Sequence, residues 1–331
     1  MKENDYTTGR RLTPNQTKRI EQTAQRSRRR HRSRAVLAVL GVLAAAAVCF
    51  TVCFFVFQVE FIVIDGNTHD TDSDIELAGE LEVGRSMFSY LLFHNEKLIE
   101  RLPYVKSARI SRELPESLVV EITEEVPEAF CRMKGSVYAL LSQDNVVLEK
   151  SAQAFSGCAY IRGLELPEIE IGENAEVFVS SEIDSLAEKA GKTSGEQAKA
   201  ELETEKNVLS GTLRLLRLKD KLMSLCRDRD IHGVTEADFT ENSQIRIELD
   251  DRITLILGSE NDLDHNLKLA KSAVANEKSS RPGENVVIDF TYDGIAVARN
   301  SDVVPMTLPP YEESTEAEII EAESEILKNN G

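Results

Sequence analysis

Apolar positions change their spacing several times along this chain, and each change predicts a different element. The longest apolar run is Ala35 to Phe57, 23 residues without a charge, broken only by Gly41 and Thr51. As a helix it rises about 34 Å, enough to cross a hydrocarbon core of about 30 Å. A buried soluble helix of this length would be unusual and would carry a polar stripe. A cleaved signal peptide is the other alternative. Ala44-Ala45-Ala46 resembles a cleavage site, but it lies in mid-run with Val48 to Phe57 still apolar after it.

Beyond the span, residues 59–65 read as a strand that ends at the Gly66-Asn67 turn. Thr71 to Asp74 offers helix N-caps ahead of Ile75, Leu77, Ala78 and Leu81, and Gly84 breaks that helix. A second helix is predicted from about Tyr90 to Leu102, ended by Pro103. Two strands follow around Leu114-Pro115-Glu116. Val105, Ala108 and Ile110 are apolar in the first. In the second, Leu118, Val120 and Ile122 face one way, with Val119, Glu121 and Thr123 on the other. The order is β-α-α-β-β, with two helices on one sheet face.

After Pro127 the pattern is mostly strands. Val137–Leu141 and Val146–Leu148 form a hairpin, and Tyr160–Leu164 and Glu176–Val179 read as short extended pieces. Residues 180–206, rich in Ala, Glu, Lys, Ser and Gly, read as an exposed helical or partly disordered insertion. Leu215, Leu218, Leu222 and Leu225 then mark an amphipathic helix. Ile245–Leu249 and Ile253–Leu257 alternate around Asp250-Asp251, and a helix with Leu263, Leu267, Ala270 and Val274 on one stripe follows. Val286–Phe290 and Ile295–Val297 pair across Asp293-Gly294, a dipeptide suited to a type I′ turn. From Asn300 the chain is tail-like. It carries seven Glu against one Lys from Tyr311 onward, a composition that predicts disorder.

Charge gives the span a direction. The formal net charge is -18, yet residues 1–34 hold eleven Lys/Arg against Glu3, Asp5 and Glu21. The acidic remainder argues against a nucleic-acid partner. A basic cluster ending at Arg34, directly before the span, places residues 1–34 in the cytoplasm, against anionic lipid, and residues 58–331 outside. Cys49 and Cys53 lie inside the span. Cys131, Cys158 and Cys226 face outward, permit at most one disulfide, and show no CxxC spacing.

Several spaced motifs together resemble the POTRA domain of the FtsQ/DivIB family of bacterial division proteins. They are Ile62-x-Ile64-x-Gly66-Asn67, Gly84-Arg85-Ser86-Met87-Phe88, and Leu102-Pro103-x-Val105-x-x-Ala108-x-Ile110-x-Arg112. Leu114-Pro115-x-x-Leu118-x-Val120-x-Ile122-x-Glu124-x-x-Pro127 completes the set. Glu125 stands where the family usually has Arg. Val287 to Gly294, with Ala296 and Val297 behind it, is similar to the closing hairpin of the family's β domain. The resemblance implies an α+β chain: a single transmembrane helix (35–57), a POTRA domain (58–127), and a mostly antiparallel β domain with helices (128–299). A basic cytoplasmic tail (1–34) precedes them and an acidic tail (300–331) follows.

The resemblance further implies a non-catalytic, bitopic protein of the cell membrane at the division septum. It would need no cofactor. Its expected partners are FtsL-type and FtsB/DivIC-type proteins, with which it would regulate septal wall synthesis. The candidate partner site is the edge strand Ile295, Ala296, Val297 and Arg299, with Tyr292 as aromatic anchor. The alternatives are that Tyr292 only packs the hairpin and that the acidic tail covers the edge.

Motifs for chemistry are weak. Asp70-x-Asp72-x-Asp74 begins like a calcium loop, but Ile75 and Leu81 stand where an EF-hand needs Gly and Glu, so helix capping is the reading. The five His never fall at metal-ligand spacing, and no GxSxG, HExxH, P-loop or GxGxxG occurs. Two rivals remain. A membrane-anchored wall enzyme would need converging polar groups in a pocket. A secretion or assembly component would need further POTRA repeats and barrel strands.

Overall fold

The computed structural model describes residues 37–52, 54–91, 95–193, 195–241, 244–292 and 295–300. The basic and acidic tails, Cys53 and the Asp293-Gly294 turn therefore lie outside the described residues. A helix, α1, covers Leu37–Val56 and is long and apolar enough to cross a membrane. The fold beyond it is α+β. The first strands are β1 (Phe61–Asp65), β2 (Val105–Glu113) and β3 (Ser117–Glu124), forming a sheet in the order β1-β3-β2. Between β1 and β2 lie α2 (Asp72–Ala78) and α3 (Asn95–Ile99). In β3 the buried residues are Leu118, Val120 and Ile122 and Glu121 is exposed, which is the half-buried alternation its sequence predicts.

The chain divides into two compact units. One comprises Met1–Val63, Glu82–His94 and Ser111–Val119; the other comprises Ile64–Leu81, Asn95–Ile110 and Val120–Gly331. In the first unit the chain leaving α1 is tied to a loop. Phe57 accepts from the Met87 N–H (3.0 Å), and Val59 exchanges bonds with Arg85 (2.9 Å) and Gly84 (2.7 Å). The second predicted helix is shortened for a related reason. Tyr90 does not join it, because its hydroxyl bonds the Glu82 backbone N–H at 2.9 Å. Among the described residues a 3-10 turn (Ser89–Leu91) and the short α3 form.

In the second unit, Thr71 caps α2 in a reciprocal capping box with Asp74, so Asp72 and Asp74 serve a helix terminus. Helix α2 meets α3 at Gly79, where a Cβ would stand 2.8 Å from the Ile99 side chain. Asn95 fixes the contact by donating to the Gly79 carbonyl at 2.7 Å.

The rest of this unit is a nine-stranded sheet with three helices. The strands are β4 (Pro127–Met133), β5 (Val137–Ser142), β6 (Val147–Ser151), β7 (Ala159–Leu166) and β8 (Val234–Asp238). They continue with β9 (Ile245–Leu249), β10 (Ile253–Gly258), β11 (Val286–Tyr292) and β12 (Ile295–Asn300). The order is β12-β11-β10-β9-β8-β7-β4-β5-β6. Five of its eight pairings are antiparallel and three are parallel, namely β4 with β7, β7 with β8 and β10 with β11. Strand β10 follows β9 through a turn closed by the Arg252 N–H on the Leu249 carbonyl (3.0 Å), with Asp250 and Asp251 both at positive φ as a type I′ turn requires.

Helices α4 (Ala175–Lys192), α5 (Glu196–Asp228) and α6 (Leu263–Ser280) contribute to one continuous core. One sequence expectation is corrected here. Glu176–Val179 is the first turn of α4, not a strand, because Asn174 caps it by accepting from the Val177 N–H. Residues 180–192 and 196–206 are helical, in α4 and α5, and mostly exposed, which is the helical alternative of the sequence reading. The stripe of α5 is shifted in part. Of the predicted stripe Leu218 and Leu222 are buried and Leu215 and Leu225 half-buried, while Thr212, Leu216, Lys219 and Cys226 complete the buried face. Leucine spacing alone could not reveal that a lysine belongs to the buried face.

Candidate partner-binding edge

Strand β12 closes one end of the nine-stranded sheet. Among the described residues it pairs only with β11, in the register Val286↔Asn300, Val287↔Arg299, Ile288↔Ala298 and Asp289↔Val297. An irregularity separates Asp289↔Val297 from Tyr292↔Ile295 beside the turn. Asp289 shapes this end of β11. Its buried carboxylate accepts from the Thr291 N–H (2.9 Å) and hydroxyl (2.6 Å), and it lies 3.8 Å from the Arg299 guanidinium. Tyr292 is 54% exposed, while Ala298 packs against the core. The hairpin therefore brings Tyr292, Ile295, Ala296, Val297 and Arg299 to one sheet margin.

The opposite margin, β6, is partly occupied. Val147 donates to the Glu173 carbonyl (2.9 Å) and accepts from the Gly172 N–H (2.8 Å), and Lys150 pairs with Glu170 at 3.7 Å. Returning chain thus takes up backbone groups that an added strand would need.

The motif residues of the first domain lie elsewhere and hold backbone. Gly66 has a φ of +92°, and Asn67 donates to the Asp70 carbonyl (2.9 Å) and to Asp72 (2.8 Å). Glu124 joins this corner by accepting from the Thr68 (2.5 Å) and His69 (2.9 Å) N–H groups. Partial burial pushes its carboxyl up, but these bonds outweigh that and hold it below the usual carboxylate range. Pro103 is half-buried ahead of β2, Val105 opens β2 as a buried residue, and Arg112 is half-buried near its end. Pro115 is exposed in the turn between β2 and β3 and follows a cis bond, and Pro127 starts β4. Glu125 is buried, with its N–H on the Tyr104 carbonyl at 2.8 Å.

Sequence reasoning missed one buried polar cluster. The fully buried Lys219 ammonium lies 3.3 Å from Glu128 and 3.0 Å from Asp220. Asp220 in turn accepts from Asn145 at 2.7 Å. Burial lowers the Lys219 pKa, opposed by the charge of Asp220. Lys219 and Asp220 are adjacent, but Asn145 lies 75 positions before Asp220, so no motif announces the cluster. Among the described residues no group of His, Cys, Asp and Glu is arranged to hold a metal ion. Cys131 and Cys226 are unpaired, and burial pushes both thiols up to about 12, far from nucleophilic. Cys158 is also unpaired, its thiol likewise raised by burial.

Comparison with known proteins meets this picture in the first domain. Residues 57–125 match the FtsQ-type POTRA domain family. The chain is 33% identical over 88 residues to the cell division protein FtsQ of Koribacter versatilis, covering 27% of this chain and 25% of that protein. It is 30% identical over 105 residues to the cell division protein FtsQ of Syntrophotalea carbinolica, covering 31% of this chain and 37% of that protein. The matches thus span between a quarter and about two fifths of these relatives. The chain carries an FtsQ-type POTRA domain and is similar over that part to FtsQ cell division proteins.

Proposed function

We propose that this chain is a membrane-anchored, non-catalytic division protein whose exported part docks other division proteins and thereby regulates septal wall synthesis. The partners are FtsL-type and FtsB/DivIC-type membrane proteins. Residues 1–34 lie in the cytoplasm and the domains lie outside, following the basic cluster before the span. The observation that carries the docking role is the contrast between the two sheet margins. Among the described residues strand β12 pairs on one side only, whereas β6 is partly covered by residues 172–174. A partner segment added to β12 would gain main-chain bonds for affinity and side-chain contacts for selectivity. Tyr292 would be its aromatic anchor. The wall-enzyme alternative has no comparable support, since the described carboxylates and thiols serve caps, ion pairs and the core. The sheet is open, which also gives no support to an assembly barrel.

The test is binding of an FtsB/DivIC-type ectodomain to the full chain carrying Ala296→Pro, Val297→Pro or Tyr292→Ala. Successive N–H groups of an edge strand alternate between the neighbour and the open side, so one proline removes an outward donor and the other a bond to β11. A folded proline variant and Tyr292→Ala should each weaken binding at least tenfold. Parental binding by both, with parental circular dichroism, would refute the site.

A further inference from the structure

We propose that the loop around Phe88, together with Val83, forms a second membrane contact: it seats the first unit on the lipid interface where α1 emerges. The proposal rests on α1 crossing a membrane. Its 20 residues, Leu37–Val56, rise about 30 Å, the thickness of the hydrocarbon core, so the chain enters the headgroup zone at Phe57. That zone is about 5–7 Å deep on each side.

The chain beyond α1 does not lead away freely. Phe57 accepts from the Met87 N–H at 3.0 Å, Gln58 forms an antiparallel bridge with Ser86, and Val59 bonds Arg85 and Gly84. Paired backbones run about 5 Å apart, so residues 84–87 are held beside the first three residues outside the span. The Phe88 ring stands edge-on to Phe57, with centroids 5.8 Å apart. Its depth is therefore set by the residue next to the end of α1. Apolar side chains such as Phe, held at this level, bury into the boundary between headgroups and acyl chains. Val83, next to the clamp, is 66% exposed, and Phe61, four residues past Phe57, is 56% exposed. A chain of four residues reaches at most about 14 Å, so Phe61 also stays close to the membrane. Glu60 and Glu82 are exposed on either strand of the clamp and limit the seat to the interface, because carboxylates stay in water.

The occupant is thus the lipid of the membrane that holds α1. The chain contains no tryptophan, so a single introduced one reports without background. Phe88→Trp, Val83→Trp and Phe55→Trp are made singly in the full chain. Each is placed in vesicles of phosphatidylethanolamine and phosphatidylglycerol, with or without acyl chains brominated near the headgroup. N-acetyltryptophanamide free in the buffer outside the same vesicles serves as the aqueous reference. Phe88→Trp and Val83→Trp should lose emission to the brominated lipid to the same order as Phe55→Trp, and the free reference should not. Should Phe88→Trp misfold, the exposed position 83 carries the test. Quenching at 83 and 88 no greater than that of the free reference, with position 55 quenched, overturns the seat and leaves the span standing. Absence of quenching at 55 overturns the span and the seat with it.

Discussion

Gly66 lies so close to Ile122 that a Cβ at position 66 would stand 2.1 Å from the Ile122 carbonyl oxygen. Its φ of +92° adds a second demand for glycine. The approach seats the end of β1 against β3, and it explains why a glycine ends the first strand.

Gly66→Ala should therefore destabilise the POTRA domain severely, by several kcal/mol, since backbone must move in addition to the conformational strain. Gly84 has a φ of +85°, but a Cβ there would meet nothing within 4 Å, so Gly84→Ala should cost only the conformational term, about 1–2 kcal/mol. Thermal unfolding of the two variants checks the order. Equal losses would remove the contact with Ile122 from the explanation.

Ile122 is buried and Glu121 beside it is exposed. Ile122→Asp should unfold the first domain, because an unpaired carboxylate in an apolar core costs several kcal/mol, comparable with a small domain's stability. Glu121→Lys should be tolerated within about 0.5 kcal/mol. Limited proteolysis and circular dichroism distinguish the two, and similar behaviour would mean the strand faces are reversed.

Lys219 and Glu128 form a buried ion pair at 3.3 Å, with Arg227 also on Glu128. Glu128→Leu should cost about 3 kcal/mol, because the ammonium has no access to water and loses one of its two paired carboxylates. Arg227, by contrast, is half exposed and can turn to solvent. Adding Lys219→Met should restore most of the loss. Denaturant titration of the single and double variants in detergent tests this, and a double variant as unstable as Glu128→Leu would show that the charges are not coupled.

Glu124 carries the pH dependence of the Gly66–His69 corner. Its folded pKa is depressed below an ordinary value of 4.5. The stabilisation is therefore complete above that value and is lost as pH falls through the lower folded one. Melting temperatures of the parent and of Glu124→Gln should differ at neutral pH and converge as pH falls from 4.5 through the lower folded pKa. A constant gap across that range would assign the effect to shape and not to charge.

The elements whose signal is local were legible in sequence. The span needs only an apolar run of sufficient length, and the 118–122 alternation needs only neighbours two apart. The hairpin at Asp250-Asp251 needs two residues that accept positive φ. The capping box at Thr71 and Asp74 is similarly short in range. Helix α4 was harder to read, because its first turn Glu176–Val179 looks extended by composition and only the Asn174 cap decides the conformation.

The sequence by itself determined the β-α-α-β-β order of the first domain, the long apolar helix before it and the FtsQ-type motifs within it, since each depends on residues close in the chain. Tertiary structure decided which strands are neighbours. Strand β4 lies between β5 and β7, β7 pairs in parallel with β8 across α4 and α5, and β12 is left at a margin while residues 172–174 cover part of the other. It also decided that Lys219 is buried with Glu128, and that Tyr104 bonds Glu149 while its ring stacks on His69 at 3.5 Å. These partners are 35 to 91 positions apart, as with Tyr104 from His69 and Lys219 from Glu128. Periodicity carries no information at such separations, because burial and charge compensation are settled only when the sheet and α5 come together.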